Sequence, residues 1–237
     1  HLSIRRQRQM CIRDSYIDIE SVDGMDALDF ENKKYTRAGL PPRQGLYDPS
    51  NERDNCGVGF IAHIKGEKSH DIVLKGLEIL DNLTHRGAVG ADPRTGDGAG
   101  ILMQMPHEFF AKVCAEEGIA LPEEGKYGVG MMFLPADPEE RKICENIIEE
   151  KIAEEGQKFL GWRDVPVDPQ AVGDSARAVM PSIRQVFIES NCSDQLTFER
   201  KLFVIRKQIG FTIRPLKLKE DKLLHIPSLS SRTIVYK

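Results

Sequence analysis

The sequence predicts a mixed α+β domain that begins near residue 56. Three observations carry that prediction. Apolar residues recur at strand and helix spacings along one chain, no heptad or internal repeat organises them, and at Cys56 turn formers give way to periodic apolar positions.

The elements follow in order. From Cys56, Val58, Phe60, Ala62 and Ile64 alternate with Gly57, Gly59, Ile61 and His63, which predicts a strand opening a buried sheet. Ser69 then caps a helix to about Thr84, with Ile72, Val73, Leu77, Leu80 and Leu83 at helical spacing. A glycine-rich loop, "RGAVGADPRTGDGAG", leads into "ILMQM", a buried strand, and "HEFFAKVCAEEG", a helix stopped by Gly118. "YGVGMMFLP" is a strand. "DPEERKICENIIEEKIAEEG" has the fullest helix signature: Asp137 at the N-cap, Pro138 at the first position, Glu140 closing a capping box and Gly156 ending it. "KFLGWRDVPV" and "SIRQVFIES" are extended. "SDQLTFERKLFVIRKQIG" is a helix capped by Ser193, with Leu196, Leu202, Phe203, Ile205 and Ile209 facing inward, and "LLHIPSLSSRTIVYK" is strand-like to the end. A chain that stops inside an apolar strand pattern predicts truncation.

Composition narrows the class. The chain has 237 residues, 40% apolar and 30% charged, the balance of a soluble globular protein. No apolar run approaches the roughly 18 residues of a membrane span. A net charge of −4, without a basic stripe interleaved with aromatics, argues against a nucleic-acid partner. The five cysteines, Cys11, Cys56, Cys114, Cys144 and Cys192, include no C-x-x-C pair, so neither a disulfide framework nor a zinc site is indicated, and a reducing compartment fits.

The first fifteen residues differ from the rest, with four arginines against one aspartate; without them 29 basic and 36 acidic residues remain. A basic targeting arm, a disordered tail and sequence foreign to the protein all compete. "RRQRQMCIRDS" resembles translated sequencing-adapter read-through, so residues 1–15 are expected to be non-native and Cys11 is set aside. Residues 16–55, rich in turn formers, read as a leader.

Cys56 admits three readings: a small buried hydrophobe, a metal ligand, or a nucleophile. Its position favours the third, because a polar leader ends at Asp54 and Asn55 and Gly-Val-Gly follows the thiol, leaving backbone free to approach. If the Asn55–Cys56 bond is cut, the new α-amine (pKa about 7.7–8.0) can take the proton of the thiol (about 8.5), and one residue supplies nucleophile and base. In the loop, Gly96, Gly98 and Gly100 lack the Lys-Ser/Thr of a phosphate loop and run into a strand, so a nucleotide site is weakly supported. A loop carrying Arg86, Asp92, Arg94 and Asp97 is nonetheless unusually charged, and long loops in compact domains often carry function. His63, His85 and His107 read as structural, and Trp162, Met131 and Met132 as core.

In combination, "GLYDPSNERDNCGVGFIAHIKG", "LTHRGAVGADPRTGDGAGILMQMPHEFF" and "IPSLSSRTIVYK" resemble the amino-terminal class II glutamine amidotransferase domain of glutamate synthase large chains, over about Gly45 to Lys237. The resemblance implies a four-layer αββα sandwich of the N-terminal nucleophile type over 56–237, incomplete at the C-terminus, and a leader, 16–55, removed on maturation. Cys56 then matches the cysteine that attacks the glutamine side-chain amide, giving a glutamyl thioester and ammonia. Arg86 matches the arginine beside that cysteine. Gly57 and Gly87 are expected to line the pocket through backbone, and Asp97 and Gly98 to shape the adjoining loop or simply its turn.

By the same resemblance, the glutamine-carboxylate arginine, the oxyanion-hole Asn-Gly pair and the amine-binding aspartate fall beyond residue 237, so this fragment alone is expected to be inactive. The full-length parent would be glutamate synthase, adding the ammonia to 2-oxoglutarate with reduction to glutamate. It would use FMN, an iron-sulfur cluster and NADPH, NADH or ferredoxin, with a small electron-transfer subunit, in a bacterial cytoplasm or a plastid. No cofactor is expected within this chain. Two other readings stay open: a different class II amidotransferase serving amino-sugar, purine-precursor or asparagine synthesis, and a non-catalytic module with a buried, unreactive cysteine.

Overall fold

A computed structural model describes Gly45 and residues 57–83, 95–96, 98–216, 218 and 224–236. The chain divides into two compact units, His1–Val89 and Gly90–Lys237.

In the first unit the expected helix is present as α1, His70–Asn82, and Ser69 Oγ accepts from the Ile72 N–H, as its N-cap position predicts. The expected strand is absent. Residues 57–63 have no regular structure, a turn covers Ile64 and Lys65, and Phe60 and Ile64 are 86% and 103% exposed. Alternation records only which residues share a face; a strand also needs a neighbour for its backbone N–H and C=O groups, and no described residue provides one.

The second unit mixes helices with antiparallel sheets, the expected α+β class. Its four-stranded antiparallel sheet has the order β3-β4-β2-β5, from β2 (Tyr127–Leu134), β3 (Lys158–Asp164), β4 (Ser182–Glu189) and β5 (His225–Ser230). β1 (Ile101–Gln104) and β6 (Thr233–Tyr236) form a separate antiparallel pair, with Ile101 opposite Tyr236 and Gln104 opposite Thr233. The helices are α2 (His107–Glu116), α3 (Pro138–Glu154), the short α4 (Asp174–Arg177) and α5 (Gln195–Ile213).

Burial on both faces explains why β2 reads as a continuous apolar run. Met132 and Leu134 pack with Cys144, Ile148 and Ile152 of α3 and with Phe198, Leu202, Ile205 and Ile209 of α5. Val129 and Met131 face the other way, onto Phe110 and Cys114 of α2, Phe187 of β4 and Ile234 of β6. Helices α3 and α5 therefore cover one face, and α2 with the β1–β6 pair covers the other. A methyl group at Gly128 would sit 2.7 Å from Leu202 Cδ1, so the glycine lets α5 lie close to the central strand.

Several boundaries and faces differ from expectation. Asp194, not Ser193, caps α5: its carboxylate accepts from the Thr197 N–H (2.9 Å) and hydroxyl (2.6 Å). Leu196 and Phe203 point outward, Phe203 being 58% exposed, while Phe198 and Ile213 join Leu202, Ile205 and Ile209 inside. The α5 sequence carries apolar residues around most of its circumference, so periodicity alone does not single out the inner stripe. β1 is half-buried on one face and exposed on the other, with Leu102 67% exposed. The C-terminal segment makes two strands in different sheets, separated at Ser231 and Arg232. In α3, Asp137 accepts from the N–H groups of Glu139 and Glu140, the cap expected there.

Candidate active site

Among the candidate site residues, Gly57 and Gly98 lie within the described structure; Cys56, Arg86, Gly87 and Asp97 lie outside the described residues, as does His85. The two described glycines fix the ends of the two motifs.

Gly57 is half-buried against Leu83, the residue that ends α1. A methyl group there would sit 2.6 Å from Leu83 Cδ2 and 2.9 Å from Cδ1, and one at Gly59 would sit 2.5 Å from Ile79 Cγ2. The backbone following Cys56 is thus packed onto the last turn of α1, which Thr84, His85 and Arg86 follow in sequence. A side chain at either glycine would oblige Leu83 or Ile79 to move aside.

Gly98 has φ +84°, a left-handed conformation that costs other residues about 1–2 kcal/mol, and it stands three residues before β1. The loop has a second anchor: Thr95 Oγ1 and Ser175 Oγ of α4 are 3.2 Å apart, within hydrogen-bond distance. Arg177, which closes α4, donates from Nε to Pro169 O (2.8 Å) and from its terminal nitrogen to Val172 O (3.0 Å), tying the 169–177 segment to itself.

Cys114 and Cys144 are poor nucleophiles. Both are fully buried, one on each face of the sheet, and desolvation pushes the two thiols up to about 11. Cys192 is half-buried, its Sγ 3.7 Å from Gln157 Oε1. His107 Nδ1 and the Tyr127 hydroxyl are 3.0 Å apart, joining α2 to β2, and His63 Nδ1 accepts from the Glu67 N–H four residues on. Burial raises the Tyr127 phenol well above its ordinary range. Trp162 donates to Glu149 at 2.8 Å, and Met131 and Met132 are core.

Among the described residues no group of three or more His, Cys, Asp or Glu is placed to hold a metal ion, and no helix is long and apolar enough to cross a membrane. The described cysteines do not fit an iron-sulfur cluster, because Cys114 and Cys144 belong to different cores.

Ser175, Gln185 and Tyr236 are not among the candidate site residues, yet each bears on the glycine-rich loop or the strand pair it enters. Gln185 follows Arg184 and precedes the apolar Val186–Ile188 of β4, so neither it nor Ser175 stands out in the sequence.

The model of the class-II glutamine amidotransferases matches residues 56–237. The chain is 50% identical over 203 residues to the NADPH glutamate synthase large chain of Bacillus subtilis, covering 84% of this chain and 13% of that protein. It is 39% identical over 219 residues to the NADH glutamate synthase of Schizosaccharomyces pombe, covering 88% and 10% respectively. To ferredoxin-dependent glutamate synthase 1, chloroplastic/mitochondrial, of Arabidopsis thaliana it is 38% identical over 222 residues, covering 93% and 13%. The chain thus spans only 10–13% of the length of these relatives.

Proposed function

We propose a glutaminase function for this chain, which belongs to the class-II glutamine amidotransferases. The observation that carries this reading is where the family match starts: at Cys56, the first residue after the polar leader. Residues 16–55 are removed, and Cys56 becomes an amino terminus. Its α-amine takes the thiol proton, and the thiolate adds to the side-chain amide carbon of glutamine. Collapse of the adduct breaks the C–N bond, the amine returns the proton to the departing nitrogen, and ammonia leaves a glutamyl thioester. Water then cleaves the thioester to glutamate and the free thiol.

In this reading Arg86 stands beside Cys56, Gly57 and Gly87 line the pocket through backbone, and Asp97 and Gly98 shape the loop. Gly57 packed on Leu83, at the entrance to the Arg86 segment, supports bringing the two motifs together. The β1–β6 pair and the four-stranded sheet would be parts of a four-layer αββα sandwich completed by further chain. Residues 1–15 are foreign sequence.

The parent would be a glutamate synthase, by similarity to relatives named for NADPH, NADH and ferredoxin. There the ammonia would pass to a flavin domain, and 2-oxoglutarate would be aminated and reduced with electrons from one of those donors, delivered in some forms through a small subunit. FMN and an iron-sulfur cluster belong to that part of the parent. A cytoplasmic or plastid location suits this chemistry.

The test is intact mass and amino-terminal sequencing of the protein expressed with its natural downstream sequence, beside a Cys56→Ala control. The expected result is a mature chain starting at Cys56 and glutamine hydrolysis that the control lacks. An attached leader with no hydrolysis would return Cys56 to a structural role.

A further inference from the structure

β6 is four residues long, yet side chains of other elements hold both its ends. Before its start, Glu199 of α5 accepts from Ser230 Oγ (3.0 Å), the Ser231 N–H (2.6 Å) and Ser231 Oγ (2.7 Å). At its end, Gln185 Nε2 donates to the Tyr236 hydroxyl at 3.0 Å. The fully buried Gln185 in turn accepts from a terminal nitrogen of Arg163 at 3.0 Å. Arg163 is only 7% exposed, lies over the Phe109 ring and stands 3.5 Å from a Glu117 oxygen; its Nε makes no hydrogen bond among the described residues.

The two clamps are not equivalent. Tyr236 is opposite Ile101, so the Tyr236 clamp sits where Gly98–Gly100 enters β1; Thr233, next to the Glu199 clamp, is opposite Gln104 at the far end. An apolar side chain of similar size would fill the Gln185 position without a buried amide to satisfy. The distinct contribution of that amide is directional: it fixes the Tyr236 ring, and with it the register of β6 against the strand that carries the loop.

We propose that Gln185 and Tyr236 are positioning residues for the C-terminal end of the glycine-rich loop, with Arg163 holding Gln185 in the donating orientation. The catalytic consequence rests on the glutaminase reading; the structural one does not. The test is hydrogen exchange on the 237-residue chain carrying Tyr236→Phe, which removes a single oxygen, with Glu199→Gln as the control at the other clamp. Exchange in residues 98–104 is expected to quicken about three- to tenfold in Tyr236→Phe, from the loss of one hydrogen bond, while the four-stranded sheet stays unchanged. Glu199→Gln should loosen residues 230–233 and spare 98–101. Unchanged exchange at 98–104 in Tyr236→Phe, or a uniform rise across the chain, overturns the proposal.

With the downstream sequence restored, Tyr236→Phe is expected to lower kcat/KM for glutamine by a similar factor and Glu199→Gln to leave it alone. A wild-type protein that hydrolyses no glutamine would remove the glutaminase reading, while the exchange result would still decide whether Gln185 and Tyr236 position the loop.

Discussion

In residues 57–83 no side chain of α1 is buried, and Val58, Phe60 and Ile64 are all exposed. In residues 98–236 the central strand β2 is buried on both faces, and fully enclosed aromatic and aliphatic side chains lie above and below it. Taken by itself, the first region draws little stability from apolar burial, whereas the second is held by two cores that share one sheet. The first also carries Gly57, next to the proposed nucleophile. Substitutions in the two cores of the second region should therefore act on stability, and those at Gly57 in the first on chemistry.

The largest expected effect breaks the sheet side of that contrast. Phe198→Ala removes a wholly buried ring between α5 and the sheet and should destabilise the chain by about 3–5 kcal/mol in urea unfolding, whereas Leu74→Ala on the exposed face of α1 should stay within about 0.5 kcal/mol. Equal losses would mean that α1 shares in a core. A smaller effect sharpens the contrast through glycines. Gly128→Ala drives a methyl into Leu202 and should lose roughly 1–3 kcal/mol. Gly57→Ala meets the mobile end of Leu83, should change the urea midpoint little, and should reduce glutamine hydrolysis by the full-length protein.

The smallest effect is electrostatic. The Thr197 hydroxyl and N–H, bonding to Asp194, hold its carboxyl below the usual carboxylate range. A depressed folded pKa contributes stability above the unfolded value of about 3.9, and that contribution fades as pH falls through the folded pKa. Asp194→Ala should therefore lower the melting temperature at pH 7 by roughly 2–4 °C, Ser193→Ala should not, and the Asp194 difference should vanish in acid. A difference that survives at low pH would assign the loss to packing.

What the sequence disclosed follows from the range of each signal. Asp137, Pro138 and Gly156 place both ends of α3 because caps act within one turn. Ser193 and Asp194 are adjacent and both suited to capping, so local chemistry could not separate them. Residues 57–64 alternate as a strand should, but pairing is a tertiary event. The family match begins at Cys56, where the texture of the sequence changes. Ser175 and the Gln185–Tyr236 pair were not legible in the sequence, because those hydrogen bonds span 80 and 51 residues, distances over which a sequence pattern carries no geometry.

The strand order also sets a timetable for synthesis. β2 lies between β4 and β5, both of which leave the ribosome after it, and His225–Ser230 follows Leu134 by roughly ninety residues, or about 5–20 s of translation. Throughout that interval the nascent chain presents Val129, Met131 and Met132 without the β5 neighbour that later lines one edge of the strand. A chaperone that shields residues 127–134 would serve this protein most in those seconds, before Ser228 arrives beside Met131.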